Sequence, residues 1–300
     1  MNTARTFNNA YFLLVLAPLL WGGNAVAGKI ASFDWQPFTI TNVRWVLTAL
    51  ILLPIAWPHI KKDWPVIRRS WKTLFLLGGI GMAMFNLLMY TALHYTSAIN
   101  VSIEQASMPA MIMLANFVIM SQRVTWLQIV GLLLSIVGVL ITTTEGNPAL
   151  FFQQGLNRGD AIMMLACAFY AAYTFGLRWR PPVHWLSFMG VISVFAIFTT
   201  LPFAIWEWQT GDVTVPGPRG WVVLSYIIIF PTIVSQIAYA RGVELIGSNR
   251  AGPFINLVPI FGSLLAVIIL GEHFQSFHAA GLLLVVGGIM LAEKSVKKIE

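Results

Sequence analysis

Apolar residues fill this chain in long runs that are separated by short, more polar connections. A helix needs about 20 mostly apolar residues to cross the hydrocarbon core of a bilayer. Turn signals predict the longest connections, at Trp57-Pro58, Gly146-Asn147-Pro148 and Val215-Pro216-Gly217-Pro218. The pattern predicts an all-α membrane protein with ten transmembrane helices and no soluble domain. These predicted spans, numbered 1 to 10, cover residues 11–30, 37–57, 73–93, 98–120, 125–144, 160–179, 184–206, 220–240, 249–270 and 276–293.

The composition agrees with this pattern. Of the 300 residues, 58% are hydrophobic and 10% are charged, whereas a soluble domain carries about 25% charged residues. A net charge of +7 is compatible with a nucleic-acid partner, but the basic residues lie in short connections between apolar spans. That placement is typical of membrane proteins, so we expect a lipid bilayer and no nucleic acid around the chain.

The basic residues also predict the orientation, because positively charged connections resist translocation. With a cytoplasmic N-terminus, 14 of the 18 Lys and Arg residues lie on the cytoplasmic side, and we predict that both termini do. Lys29, Arg158 and Arg219 then lie outside, and Arg44 lies within span 2. The cytoplasmic set is Arg5, Lys61, Lys62, Arg68, Arg69, Lys72, Arg123, Arg178, Arg180, Arg241, Arg250, Lys294, Lys297 and Lys298.

The chain repeats itself internally. A shift of 150 residues aligns 98–141 with 248–291 without a gap, so that Pro109 meets Pro259 and two glycines meet two glycines. Half the chain length is also 150, which predicts two five-helix repeats, residues 1–150 and 151–300. Since five is odd, the second repeat enters the membrane from the opposite side. Such inverted repeats are typical of secondary transporters, with the substrate site between the halves.

Several motifs, in this order and spacing, resemble the drug/metabolite transporter superfamily and, within it, the ten-helix EamA-type exporters. Among these, the chain is most similar to bacterial aromatic amino acid exporters of the YddG type. The family's Gly-Glu after span 4 reads Ser121-Gln122 here, so we assign no role to that position. The matching residues are Leu20-Trp21-Gly22-Gly23-Asn24 through Lys29, Pro37 with Arg44, Tyr90 through Ala98, Pro259, Leu270-Gly271-Glu272, and Gly281 through Gly288.

The resemblance implies a secondary transporter of the bacterial inner membrane that exports small amphiphilic metabolites, aromatic and other neutral amino acids first. The alternative within transport is another metabolite or a drug, such as a nucleoside or a cationic compound. We expect alternating access through a central cavity, with an amino acid as the small-molecule substrate, no cofactor, no metal and a monomeric chain.

Polar and aromatic side chains within the spans are the candidates for a substrate pathway, because polar groups in lipid usually face the bundle interior. Asn86, Tyr90 and His94 share one face of span 3 at helical spacing. Each candidate has packing between helices as its alternative role. The predicted substrate-binding residues are Trp21, Asn24, Asn86, Tyr90, His94, Gln105, Tyr170, Tyr173, Gln236, Tyr239 and Asn256. Tryptophans near span ends are predicted interfacial anchors instead: Trp35, Trp57, Trp64, Trp185, Trp206, Trp208 and Trp221.

Charged residues supply candidates for coupling and gating. Glu104 early in span 4 is either a protonatable coupling group or a solvated residue near the outer mouth. His94 is either a second titratable candidate or a hydrogen-bonding residue at a helix end. Arg241 and Glu244 at the end of span 8 form either an inner gate or a local surface salt bridge. Arg44 is expected to be paired or to reach a cavity.

Two prolines and four glycines predict how the helices bend and pack. Pro109 and Pro259 occupy equivalent positions of the two repeats, which predicts paired hinges. Gly131, Gly138, Gly281 and Gly288 lie about two turns apart within spans 5 and 10, which predicts close helix contact.

Other function classes fit the sequence less well. A Walker-type phosphate-binding loop is absent from the sequence, as is a His-Glu-x-x-His motif. The five histidines are scattered over both predicted membrane faces, and the spans hold no pair of aspartates. We therefore do not expect an enzyme, and a channel or a scaffold has no need of an inverted repeat.

Overall fold

The computed structural model describes residues 9–121, 125–147, 157–211, 215–246 and 251–296. Within these ranges the chain is helical and forms no strands. Eight helices are long and apolar enough to cross a membrane, and two shorter apolar helices follow them. The protein is therefore an all-α membrane protein, as predicted. The predicted repeat boundary at residue 150 lies outside the described residues, as do Gln122, Pro148 and five basic residues used for the orientation: Arg5, Arg123, Arg250, Lys297 and Lys298.

The helices follow the predicted spans closely, and we label them α1 to α10. Connections between them are short wherever the structure describes both ends. The helices are α1 Ala10–Ala31, α2 Pro37–Arg69, α3 Trp71–Ala92, α4 Ala98–Met120, α5 Trp126–Thr143, α6 Arg158–Trp179, α7 Trp185–Gln209, α8 Pro218–Ile246, α9 Phe254–Leu270 and α10 Ser276–Val296.

The turn predicted at Trp57-Pro58 is wrong, because both residues lie inside α2, which continues to Arg69. A proline inside a helix removes one backbone hydrogen bond but does not have to end the helix. Beyond Pro58 the helix still has a buried side, since Ile60 and Ile67 pack in one apolar cluster with Phe188 of α7. This packing stabilises a helix that extends well past its apolar run.

Equivalent helices of the two halves are interrupted at equivalent places. Both α3 and α8 contain a seven-residue π-helical segment, Leu76–Met82 and Ile228–Val234 respectively. In α4 a new helical segment begins at Met108, next to Pro109, and in α9 one begins at Val258, next to Pro259. Proline at the start of a helical segment leaves no backbone donor unpaired. The two predicted hinge prolines therefore lie where their helices break.

Helices α5 and α10 run antiparallel and touch through their glycines. A Cβ atom on Gly138 would lie 2.7 Å from the carbonyl oxygen of Gly281, and one on Gly288 would clash with the carbonyl oxygen of Gly131. The residue pairs run in opposite directions along the two helices. The prediction that these four glycines bring helices together is confirmed, since only a residue without a side chain permits such an approach.

Helices α2 and α7 form a second antiparallel pair. The Glu207 carboxylate near the end of α7 accepts hydrogen bonds from the backbone N–H groups of Phe38 (3.1 Å) and Thr39 (2.7 Å) at the start of α2. A carboxylate at a helix N-terminus satisfies free donors and interacts well with the helix dipole. One turn on, Asn42 donates to the Thr200 hydroxyl at 3.0 Å. Helices α2 and α7 therefore run in opposite directions.

The remaining contacts obey the same symmetry. Helix α3 packs on α6 and α1 packs on α8, two contacts that interchange when each helix is replaced by its equivalent in the other half. The contacts of α1 with α9 and of α6 with α4 interchange in the same way, and α4 packs directly on α9. Equivalent helices that run antiparallel require a two-fold axis in the membrane plane. The inverted-repeat prediction is confirmed.

We predict that Gly288→Ala lowers the thermal stability of the purified protein, because the new methyl group meets the Gly131 carbonyl and Ser135. Overpacking of this kind costs about 1–3 kcal/mol. The matched control is Gly287→Ala on the same helix, since nothing lies within 4 Å of a Cβ atom there. Thermal unfolding in detergent measures both variants. Equal melting temperatures for the two would contradict the close approach of α5 and α10.

Candidate functional site

A cavity of about 400 Å³ lies between the two halves of the bundle. Helices of both repeats contribute to its wall, and the two predicted hinge prolines lie in it. Its volume falls in the range of small-molecule sites, roughly 300–1,000 Å³. The wall residues that matter most below are Trp21, Asn24, Arg44, Trp45, Thr48, Phe85, Asn86, Gln105, Pro109, Tyr170, Thr174, Trp185, Thr232, Gln236, Ile255, Asn256 and Pro259.

The cavity occupies one end of the bundle, which we call the open end: the end where α6 finishes and α7 begins. In α7 the wall residues belong to the first turns, from Trp185 to Ile192, whereas in α6 they belong to the last turns. Ile255 at the start of α9 lines the cavity and is 41% exposed. The cavity therefore opens toward this end of the bundle.

The opposite end, which we call the sealed end, is closed by contacts between the repeats. The carboxylate of Glu272, just after α9, accepts hydrogen bonds from the N–H groups of Ala98 (2.8 Å) and Ile99 (2.9 Å) at the start of α4. The rings of Trp35 and Trp221 meet edge to face, with centroids 5.0 Å apart. Ala98 has no exposed surface. Glu272 therefore caps the N-terminus of α4.

Lys29 and His94 add to the sealed end from the first repeat. The Lys29 ammonium donates to the carbonyl oxygens of Leu93 and Thr96, both at 2.8 Å. The His94 ring nitrogens lie 2.9 Å from the Tyr90 carbonyl oxygen and 3.2 Å from that of Trp35. These bonds tie the end of α3 to the end of α1, outside the cavity.

Seven of the predicted substrate-binding residues line the cavity together: Trp21, Asn24, Asn86, Gln105, Tyr170, Gln236 and Asn256. They come from six helices and both repeats. The other four lie outside its wall: Tyr90, His94, Tyr173 and Tyr239. Tyr239 packs its ring against Trp21, with centroids 5.4 Å apart, and Tyr173 packs against Tyr170 at 5.7 Å. These two tyrosines support wall residues from behind.

Arg44 is the one basic side chain in the described part of the wall, and it bonds to both repeats. Its guanidinium donates to the Asn86 amide oxygen, to the Tyr90 hydroxyl at 3.1 Å, and to the Thr232 hydroxyl at 2.8 and 3.2 Å. Tyr90 in turn donates to Asn24 at 3.0 Å. Of the two expectations for Arg44, that it is paired or that it reaches a cavity, the second is confirmed, because it lines the cavity and its described hydrogen-bond partners are all neutral.

Two of the predicted interfacial tryptophans lie inside the bundle instead. Trp185 was predicted as an interfacial anchor, but it lines the cavity. Trp35, with the same prediction, is only 5% exposed and packs at the sealed end. Position near a span end shows how deep a side chain lies in the membrane, but not which way it faces. The remaining predicted anchors are exposed: Trp57, Trp64, Trp206, Trp208 and Trp221.

The predicted coupling and gating residues have clear positions. Glu104 has no exposed surface, so its interpretation as a solvated residue is wrong. Neither of its carboxyl oxygens has a hydrogen-bond partner among the described residues. Arg241 and Glu244 form a salt bridge of 3.0 Å within α8, with side chains 34% and 62% exposed. A pair on one helix favours a surface salt bridge, and its gating role stays a prediction.

Comparisons with known proteins agree with this fold. The chain is 24% identical to "Uncharacterized transporter YetK" of Bacillus subtilis (strain 168), over 94% of this chain and 86% of that protein. It is 23% identical to "Uncharacterized inner membrane transporter YicL" of Salmonella typhimurium, over 93% of each chain. A crystal structure of a protein that is 17% identical superposes with a TM-score of 0.63 and covers 97% of this chain and 98% of that one.

The model of the EamA-like transporter family matches the chain twice, at residues 8–144 and 157–293. These two matches cover most of the chain, one in each half, as the internal repeat requires. Family members are transporters and not enzymes. The finer likeness to exporters of the YddG type stays a prediction. The chain therefore belongs to the EamA-like transporter family, whose model matches both of its halves.

Proposed function

We propose that this transporter exports small amphiphilic metabolites, aromatic and other neutral amino acids first, by alternating access through the cavity between the repeats. The observation that carries the proposal is a cavity with aromatic and amide walls that is open at one end and sealed at the other. A secondary transporter moves its substrate by exchanging which end is open.

The wall chemistry supports an aromatic amino acid as the substrate. Trp21, Phe85 and Tyr170 offer ring faces on which an aromatic side chain packs. Asn86 and Gln105 lie in the same cavity and offer amide donors and acceptors for the polar ends of the ligand. Apolar walls with a few convergent polar groups are typical of sites that bind small amphiphilic molecules.

The orientation of the chain gives the cavity its direction. The open end carries basic residues such as Lys61, Arg68, Arg178 and Arg180 at or near helix ends. By the positive-inside rule this end faces the cytoplasm, so we assign the chain to a plasma membrane with both termini inside. The cavity then faces the cytoplasm, where a substrate for export would enter.

We predict that the purified protein in liposomes moves labelled phenylalanine down its gradient. Replacing Trp21 by alanine removes a ring from the cavity wall and is expected to weaken the apparent affinity at least about tenfold. The control is Trp126→Ala, since Trp126 is 73% exposed on the outside of α5.

Two outcomes contradict this proposal. A folded sample that moves no neutral amino acid would direct attention to other metabolites as the substrate. An equal apparent affinity in the Trp21 and Trp126 variants would show that the substrate path lies elsewhere.

Glu104 is our candidate for proton coupling. It neighbours Gln105 of the cavity wall, and its own side chain is fully buried without a partner among the described residues. The uncharged acid is the form that costs least to bury. Cys167 of α6 donates its thiol to the backbone carbonyl oxygen of Glu104 at 3.5 Å. Asp160 is a second buried carboxylic acid on α6, and it accepts a hydrogen bond from the Thr96 hydroxyl.

We predict that a pH gradient drives uphill movement of the substrate and that Glu104→Gln abolishes this drive. Downhill exchange of substrate is expected to continue, because glutamine keeps the size of the side chain and needs no proton. Flux assays in liposomes with and without a pH gradient measure both. Uphill movement that survives in the variant would remove Glu104 from the coupling step, and Asp160→Asn then becomes the comparison.

A further inference from the structure

Arg44 lies in the cavity without an opposite charge. Its side chain is 5% exposed, and no carboxylate in the described residues forms a salt bridge with it. All of its described hydrogen-bond partners are neutral: an amide, a phenol and a hydroxyl. An unpaired charge at membrane depth is costly, and it is retained where function needs it.

The hydrogen bonds leave one edge of the guanidinium poorly occupied. Both N–H groups of Nη1 are used within the first repeat, by Asn86 and Tyr90. The Nε and Nη2 atoms share a single acceptor, the Thr232 hydroxyl oxygen, at 3.2 and 2.8 Å. The Nε–Nη2 edge matches two carboxylate oxygens side by side, which bind such an edge more strongly than one hydroxyl does.

Two other polar groups near Arg44 have no hydrogen-bond partner among the described residues. Thr48, one turn along α2, lines the cavity and is 1% exposed, and its hydroxyl has no hydrogen-bond partner among the described residues. The indole N–H of Trp45, which also lines the cavity, is likewise unpartnered there. Buried polar groups normally find a partner, so these two donors leave unused hydrogen-bonding capacity beside the cavity wall.

Resting on the proposed transport function, we propose that Arg44 binds the carboxylate of the transported molecule through its Nε–Nη2 edge, displacing Thr232. A free carboxylate is then the feature that the cavity requires, and an amino group is not. No aspartate or glutamate belongs to the described wall, so a cation finds no opposite charge there. The cavity therefore selects aromatic carboxylates, amino acids among them, against amines.

Isothermal titration of the purified chain with four matched ligands tests this selection. Phenylalanine has both groups, 3-phenylpropionate lacks the amine, and phenethylamine and phenylalanine amide lack the carboxylate. We expect the first two to bind with similar affinity and the last two at least about tenfold more weakly, as loss of a charged partner usually costs.

The outcomes separate this inference from the proposed function. Equal binding of all four ligands overturns the inference and leaves amino acid transport standing. Binding of 3-phenylpropionate without phenylalanine supports the inference and sinks the amino acid assignment. No binding by either carboxylate overturns the inference.

Two variants separate ligand binding from a purely structural link between α2 and α8. Arg44→Gln is expected to lose the preference for carboxylates, and Arg44→Lys to retain part of it. Thr232→Val breaks the same link but leaves the guanidinium edge free, so carboxylate binding is expected to stay equal or tighten. Weaker carboxylate binding in Thr232→Val, by as much as in Arg44→Gln, would show that Arg44 acts only as a structural link. If Arg44→Gln does not fold, the four-ligand comparison on the unmodified chain decides alone.

Discussion

The antiparallel packing of equivalent helices is the interaction that determines where the cavity of this protein lies. Where α5 meets α10, the backbones approach so closely that a methyl group on Gly138 or Gly288 has no room. Where α2 meets α7, Glu207 of one half holds the first N–H groups of the other. Lipid offers these polar groups no partner, so they must be satisfied within the bundle. The contacts of α5 with α10 and of α2 with α7 therefore hold the two halves together, and the cavity lies between the halves.

The breaks in the helices lie beside this cavity. Pro109 and Pro259 begin new helical segments in its wall, and Thr232 belongs to the π-helical segment of α8. Segments of this kind interrupt the regular backbone ladder and often mark functional sites. Such interruptions also allow one part of a helix to tilt while the other part stays in place. The contacts at the sealed end, between Glu272 and the start of α4, are those that must separate if the cavity is to open there.

Sequence predicted the spans well because lipid imposes a local rule on each of them, and Ala10–Ala31 or Trp185–Gln209 need no partner to satisfy it. The length of α2 was not predictable in this way. Its last turns are held by packing on α7, a contact between distant parts of the chain.

The site was predicted only in part, for a geometric reason. Asn86, Tyr90 and His94 share one helix face, as their spacing indicated, yet eight residues extend about 12 Å along a helix. Over that distance the three residues reach different surroundings. Asn86 lies in the cavity wall, Tyr90 lies behind the wall, and His94 lies at the sealed end. The partners of Arg44 lie on α3 and α8, and no local pattern in span 2 identifies them.

Labelling of single cysteines from each side of the membrane tests most directly whether the two ends open in turn. The native Cys167 is buried and would be replaced by alanine. Cysteine is then placed at Ile255, in the open mouth, or at Ala98, in the sealed end. We predict that substrate lowers labelling of Ile255→Cys from the cytoplasmic side and raises labelling of Ala98→Cys from the outside. Changes in the same direction at both positions, or labelling of both from one side, would contradict alternating access.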